Sequence, residues 1–179
     1  RNFILLGFGL SYKISRNIEL YSNISENYRS VTFADISISN PAYSINPEIS
    51  DENGFTYDIG FRGDYLKKVS FDVGFFSLFY NDRIGFVQKA YSDGRVKSEK
   101  GNVGNAVIYG LESLIDFDLN EMFIKNNDLS MNFFVNSSLI NSEYTESEVP
   151  GVKGREVEFV PNLNFKSGLK FGLKNLVMN

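Results

Sequence analysis

The sequence predicts an all-β fold, an antiparallel transmembrane β-barrel to which this chain contributes about seven or eight strands. The clearest evidence is segment 163–173, where large apolar residues alternate with polar, charged or glycine residues, apart from one serine. Side chains of a strand project alternately to opposite faces, so this segment has one apolar and one polar face. The alternation lasts for about eleven residues, the length that a tilted strand needs to cross a bilayer. Short turns and long loops also alternate along the chain, as they do in outer-membrane barrels.

Composition supports strands and excludes several classes of function. The chain has 179 residues, of which 42% are hydrophobic and 15% aromatic, too apolar a composition for disorder. Its net charge of -4 gives no support to nucleic-acid binding, which requires a concentrated basic face. Cysteine and histidine are absent, which excludes disulfides, thiolate or imidazole metal sites, and catalysis by Ser-His or Cys-His pairs. We therefore predict no enzyme activity and no cofactor.

Two strands joined by a tight turn are predicted at the beginning of the chain, over residues 3–14 and 18–29. Large apolar residues occupy every second position of the first strand, whereas the alternation in the second strand is weaker. Residues 30–54 follow as a polar segment with Asn-Pro and Asn-Gly pairs, which are turn-forming combinations. This segment is predicted as a loop of about two dozen residues, long enough to suggest a function.

The third and fourth strands are predicted over residues 55–65 and 69–87, with Lys67 and Lys68 in the turn between them. In the third strand, Thr, Asp, Gly and Arg alternate with aromatic and aliphatic residues, so charge is confined to one face. The alternation of the fourth strand weakens after Phe75, which indicates a β-bulge.

The later connections continue the alternation between long and short. In chain order, the prediction is a loop at 88–105, a fifth strand at 107–117, a connection at 121–127, a sixth strand at 129–139, a loop at 141–154, the seventh strand at 163–173, and a turn at 174–175. Short turns of outer-membrane barrels face the periplasm, so the three long loops are predicted to be extracellular. The chain starts without Met, and its last residues resemble the opening of another strand, so we interpret both ends as cut.

The two faces of the predicted strands differ in charge, as a membrane barrel requires. A charged side chain on the lipid face at the bilayer midplane costs about 2–4 kcal/mol. The apolar faces of the first, third, fifth, sixth and seventh strands carry essentially no charge at mid-strand. The opposite faces carry too many charges for a dry core, which predicts a lumen filled by water or by another domain.

Six segments, at residues 21–29, 41–47, 52–63, 79–84, 102–112 and 154–161, follow one another in the order of a known family. They resemble the barrel region of TonB-dependent outer-membrane receptors, most nearly ferric citrate and ferric siderophore transporters. Residues 52–63 are similar to the family's acidic-x-Gly-x-x-x-(Asp/Glu)-x-Gly strand, and residues 102–112 to its Asn-x-Gly-x-Ala-x-x-x-Gly-Leu/Val-Glu segment. The chain departs from the family at Glu158, where Pro is usual.

This resemblance implies a 22-stranded barrel in the bacterial outer membrane, of which residues 1–179 form part of a single domain. It also implies an N-terminal plug domain outside this chain, and active import of a ferric siderophore, ferric citrate or a similar scarce nutrient, energised through the TonB complex. The residues alone leave open a passive porin and a soluble β-sandwich binding module. They also leave open which substrate is carried.

Candidate site residues belong to two groups. Cations near the extracellular ends, with one tyrosine, are candidates to bind an anionic metal chelate: Arg29, Tyr43, Arg83, Lys89, Arg95 and Arg155. The lumenal candidates for contact with the plug are Asp58, Arg62, Asp64, Glu112 and Asp116. No catalytic or metal-ligating residue is assigned. The expected partners are therefore outer-membrane lipid, the plug, the TonB complex through the plug, and the chelate.

Overall fold

The sheet of this protein contains nine strands within the residues that its structure, a computed structural model, describes: 4–37, 40–126, 128–174 and 176–178. The strands are β1 Gly7–Lys13, β2 Ile18–Arg29, β3 Tyr43–Ile45, β4 Glu52–Tyr65, β5 Val69–Ala90, β6 Val96–Asp118, β7 Leu129–Glu146, β8 Leu163–Leu173 and β9 Leu176–Met178. A short helix, α1, covers Phe33–Ile36, and a π-helical turn covers Asn120–Ile124. Phe3, Asn127 and Asn175, which belong to predicted strands and turns, lie outside the described residues.

The sheet is a meander, which confirms the predicted all-β antiparallel fold. Its order is β1-β2-β4-β5-β6-β7-β8-β9, and each neighbouring pair is antiparallel. The exception is β3, which pairs in parallel with β6. No second sheet packs on the apolar face within the described part of the chain, whereas a β-sandwich requires two packed sheets.

Strand boundaries agree with the prediction inside the apolar segments and differ beyond them. Strands β2 and β8 have the predicted bounds, whereas β1 begins only at Gly7. The predicted loop at 88–105 is wrong, because β5 continues to Ala90 and β6 already begins at Val96. β7 likewise runs to Glu146, into the predicted loop at 141–154. The predicted bulge in β5 is present, as a shift of register between Tyr80 and Arg83.

The register shows that the strands are tilted. The middle of the apolar segment of β8 is Gly168, which lies in line with Phe134, Asp116, Ser70 and Asp64 on the preceding strands. The middle of the corresponding segment of β4 is Gly60, so the apolar band shifts by about one residue per strand. A shift of about 3.4 Å for each interstrand spacing of about 4.8 Å corresponds to a tilt of about 35°, as in membrane barrels.

Large apolar side chains cover one face of the sheet and remain exposed there. Phe61, Leu111 and Phe165 are examples, with 46%, 56% and 65% of their surface accessible. Two of the serines on this outward face, Ser113 and Ser137, form a hydrogen bond with 2.9 Å between their hydroxyl oxygens. Each hydroxyl thus has a protein partner without water, as a lipid environment favours. Among the described residues, no helix has the length and apolar character to cross a membrane.

Two long loops cover opposite faces of the β5–β6 hairpin where it rises above its neighbours. The first long loop, residues 30–51, lies on the face of Phe86 and Lys100, since Tyr43 contacts the Phe86 ring at a centroid distance of 5.7 Å. The last long loop, residues 147–162, packs its valines on the other face. The core of the described structure lies there and consists of Val103, Ala106, Ile108, Tyr144, Val152 and Val157.

Candidate functional site

A buried carboxylate joins the first long loop to the β5–β6 hairpin. Asp35 is only 1% exposed, and its Oδ1 lies 2.8 Å from Nη2 of Arg29 and 2.7 Å from Nζ of Lys100. The backbone N–H and hydroxyl of Thr32 donate to its Oδ2 at 2.9 and 2.7 Å. Burial alone raises the pKa of Asp35, but the hydrogen bonds from Lys100 and Thr32 and the charge of Arg29 hold it well below its usual range. Asp35 is therefore charged and fully paired.

Arg29, a predicted ligand-binding residue, is thus occupied by carboxylates of its own chain. Besides Asp35, its Nη1 lies 3.6 Å from Oε2 of Glu52, which also accepts the Ile84 N–H at 2.8 Å. Glu52 is buried and is the first residue of β4. Its carboxylate accepts a hydrogen bond from the part of β5 that extends past this end of β4. Arg29 therefore holds the last residues of β2 and the first residues of β4 together with the first long loop.

Two further predicted cations are also paired with carboxylates. Nζ of Lys89 lies 2.8 and 3.0 Å from the two carboxylate oxygens of Glu99, which also accepts the Tyr91 hydroxyl at 3.1 Å. Arg95 and Asp93 form an exposed ion pair of 2.7 Å at the hairpin tip. These contacts neutralise positive charge that the sequence offered for an anionic ligand.

The remaining extracellular candidates lie in different settings. The guanidinium of Arg83 stacks over the Tyr80 ring at 5.1 Å, and its buried Nε has no hydrogen-bond partner in the described structure. Arg155 lies in the last long loop, where its carbonyl accepts the Tyr144 N–H at 2.9 Å, and no described carboxylate pairs with it. Tyr43 is 41% exposed on β3. The structure thus does not bring the six candidates together in one pocket.

Lumenal candidates lie on the face of the sheet opposite the apolar band. Arg62 lies 3.5 Å from Glu19 and over the Tyr21 ring, and Asp116 lies 3.5 Å from Lys170 and accepts from Asn132. In contrast, the carboxylates of Asp58, Asp64 and Glu112 have no ion pair or side-chain hydrogen bond within the described residues. The lumenal wall therefore has both satisfied and unsatisfied charges.

Tyr21 and Asp72 belong to this lumenal face but were missed in the sequence. The Tyr21 hydroxyl donates to Oδ1 of Asp72 at 2.8 Å, and the hydroxyl end of the ring lies against Gly60 and Gly74. A Cβ at Gly60 would stand 2.5 Å from the Tyr21 hydroxyl oxygen and 2.7 Å from the Val73 carbonyl oxygen, so only glycine fits. The signal for Asp72 was its place on the polar face of a predicted strand. The sequence signal for the pairing of Asp35 with Lys100 was weaker, since only the Thr32-x-x-Asp35 capping pattern marks the start of α1.

Both regions contain open clefts lined by polar side chains. A cleft of about 860 Å³ lies between the first and last long loops, and a second of about 490 Å³ lies at the other end of the strands, on the lumenal face near the β1–β2 turn. Within the described residues, no group of acidic side chains is arranged to hold a metal ion. The clefts offer carboxylates, amides and a few cations to a ligand or to another domain.

Comparison with known proteins identifies the barrel. Residues 2–176 match the family model of the TonB-dependent receptor-like β-barrel. Similar solved structures include the copper transporter OprC, the ferric citrate transporter FecA and the ferric yersiniabactin uptake receptor FyuA from Yersinia pestis, with sequence identities of 15%, 17% and 19% and TM-scores of 0.63, 0.63 and 0.58. They cover 90%, 93% and 92% of this chain but only 23%, 23% and 22% of their own chains.

The chain thus spans about a quarter of the length of these structures, and at such identities the likeness concerns the fold alone. No curated protein sequence matches it. The family of the matched model consists of transporters and receptors of the bacterial outer membrane. With the tilted antiparallel sheet, the outward apolar band and the charged lumenal face, the match over residues 2–176 shows that this chain belongs to the TonB-dependent receptor β-barrel family.

Proposed function

We propose that this chain forms part of the wall of an active transporter in the bacterial outer membrane, which imports a ferric siderophore, ferric citrate or a similar scarce nutrient. The observation that carries the proposal is the family match over nearly the whole chain. Support for a metal-containing nutrient comes from the similar solved structures, whose names refer to copper, ferric citrate and ferric yersiniabactin. Energy would be delivered through the TonB complex.

The proposal includes a plug domain outside residues 1–179, which form part of a single barrel domain. Its support in this chain is the set of lumenal carboxylates that have no partner among the described residues, above all Asp58 and Glu112. An unpaired carboxylate in a confined lumen is costly unless a cation approaches it. We therefore assign Asp58 and Glu112 the main contacts with cationic side chains of the plug. Arg62 and Asp116 are secondary contacts, since both are already paired within the wall. Asp64 is also a secondary contact, since it lies at the end of β4.

A double variant tests the plug contact in the full-length receptor. Asp58→Asn with Glu112→Gln removes both charges with little change of volume, and Ser138→Ala on the same face is the control. We expect the plug of the double variant to unfold at a lower urea concentration than the plug of the wild type. Cells that carry the double variant should also become permeable to a large antibiotic. An unchanged midpoint for plug unfolding would contradict the assignment.

For the ligand, we propose that Arg83 and Arg155, which pair with no carboxylate in the described part of the chain, contribute more than Arg29, Lys89 and Arg95. Tyr43 remains a candidate for packing against a chelate. The test is uptake of labelled ferric chelates by cells that carry Arg83→Gln with Arg155→Gln, compared with Arg95→Gln. Equal uptake by the double variant, by Arg95→Gln and by the wild type would refute this ranking.

The transport proposal itself is tested by deleting the gene. We expect the deletion strain to lose growth on one class of ferric chelate, and the same loss after deletion of the gene for TonB. Uptake that persists without TonB would indicate a passive porin instead. Unchanged iron uptake from every source would defeat the metal-chelate proposal.

A further inference from the structure

A groove of about 610 Å³ lies on the outward face of strands β1, β2 and β4, near the extracellular ends of β2 and β4. The pairing explains its depth. Ile24 pairs with Phe8 on one side and with Tyr57 on the other, so a short aliphatic side chain lies between two aromatic ones. The outward side chains that line the groove are apolar along its length: Ile4, Leu6, Phe8, Ile24 and Phe55.

The extracellular end of the groove is polar but carries no positive charge. Tyr28, Asn53, Asn81 and Glu26 form this end. Nδ2 of Asn81 donates to Oδ1 of Asn53 at 3.0 Å. The side-chain N–H groups of Asn53 are not used in this bond and can donate to another acceptor. Oε2 of Glu26 accepts the Leu6 N–H at 3.1 Å, so this carboxylate closes the end of the β1–β2 ladder.

The groove is continuous with the apolar band that faces the membrane. Phe55 stacks on Phe79 with a centroid distance of 4.3 Å, and these two rings are the last apolar pair of β4 and β5 on the outward face. The next pair on the same face is Asn53 with Asn81. The groove therefore crosses the level where the sheet changes from hydrocarbon-like to hydrogen-bonding side chains.

We propose that this groove binds one acyl chain of an outer-leaflet lipid, with an uncharged ester or hydroxyl oxygen of that lipid accepting a hydrogen bond from Asn53. The apolar walls match the hydrocarbon chain, and the volume of the groove lies within the usual range of ligand pockets. Glu26, and the absence of Lys and Arg among the described residues that line the groove, disfavour an anionic group at this position. The inference rests on the outer-membrane location proposed above and concerns a surface that the transport pathway does not use.

Photocrosslinking of the full-length receptor tests this site. The receptor is placed in nanodiscs of phosphatidylethanolamine that contain a trace of the same lipid with a diazirine on its acyl chain, and crosslinked peptides are mapped by mass spectrometry. We expect the yield at residues 6–8 and 24 to exceed severalfold the yield at Leu139 and Leu163. These two control residues are each 60% exposed on the same face.

Filling the groove provides the decisive comparison. Ile24→Trp should reduce the yield at residues 6–8 to that of the controls, and Ile24→Phe should reduce it partly, whereas Leu139→Trp should have no effect there. Heat-modifiable electrophoretic mobility shows that each variant is folded and inserted, which separates a failure of this site from a failure of the membrane location. Equal yields along the whole outward face, yields at residues 6–8 that neither Ile24 variant changes, or crosslinks dominated by a second receptor copy would each overturn the proposal.

Discussion

Substitution of Asp35 tests whether one buried carboxylate holds the first long loop on the β5–β6 hairpin. Asp35→Asn retains the size and one acceptor oxygen but removes the charge between Arg29 and Lys100. Lys100 is then left with only 18% of its side chain exposed and without an anionic partner. Removal of one partner from a buried ion pair costs about 3–5 kcal/mol. Because Arg29 is 44% exposed and recovers water, we expect a value near the lower end, about 3 kcal/mol.

The cost should appear locally, since the loop joins the β-ladders of the wall through the short pairing of β3 with β6. The Asn46 N–H donates to the Lys100 carbonyl at 2.8 Å, and the Ser98 N–H donates to the Ala42 carbonyl at 3.2 Å. Hydrogen exchange at these two amides reports whether β3 remains paired with β6. A loss of about 3 kcal/mol corresponds to a decrease in protection of about two orders of magnitude.

A matched control is available at the hairpin tip. Asp93→Asn makes the same chemical change in the exposed ion pair with Arg95, which should contribute about 0–1 kcal/mol. Protection at Asn46 and Ser98 should be unchanged in this variant. Protection that remains within about twofold of wild type in Asp35→Asn would refute the argument that the buried charge holds the loop.

Three further predictions follow from the same structure. The pKa of Asp35 is lowered on folding, so its contribution to stability is fully present above its unfolded pKa of about 3.9 and is lost as the pH falls below that value. The protection of the Asn46 amide, corrected for intrinsic exchange, should therefore be constant between about pH 5 and 8 and decrease below about pH 4. Gly60→Ala should lower the stability of the full-length receptor to urea by about 1–3 kcal/mol, since the new methyl group meets the Val73 backbone. Gly7→Ala, whose nearest neighbour stands at 3.5 Å, should change it far less, and equal effects would contradict the steric reason. Tyr144→Phe removes a 2.7 Å hydrogen bond to Glu158 and should accelerate tryptic cleavage after Lys153 or Arg155, whereas an unchanged rate would show that the valine contacts alone hold the last long loop.

The membrane-spanning part of the fold was predictable because lipid and lumen impose a period of two on each strand. Strands β2 and β8 have the predicted bounds for this reason. Above the membrane this constraint ends, since both faces of a strand meet water or loops. Residues 88–105 therefore look like a loop in the sequence, although the backbone continues the β5–β6 ladder through most of them.

The candidate site was less predictable, because charge pairing joins residues that are far apart in the chain. The cationic character of Arg29 and Lys89 was evident, but nothing in the sequence indicated that Asp35 and Glu99 neutralise them. Lumenal positions such as Asp58 and Glu112 followed from strand parity and lie on the expected face. Parity determines direction but not partnership, so their contacts remain a prediction.

The parallel pairing of β3 with β6 restricts how the extracellular surface can diversify. β6 extends beyond the point where β7 leaves it, and the three residues of β3 pair with the upper part of that exposed edge. An uncovered edge of this kind is a template for pairing with other chains. Shortening or exchanging residues 30–51 would therefore open the hairpin to aggregation as well as change its binding surface. Variation during evolution, or grafting of new recognition loops by design, is better tolerated at the hairpin tip around Asp93 and Arg95, where both side chains of the ion pair are exposed.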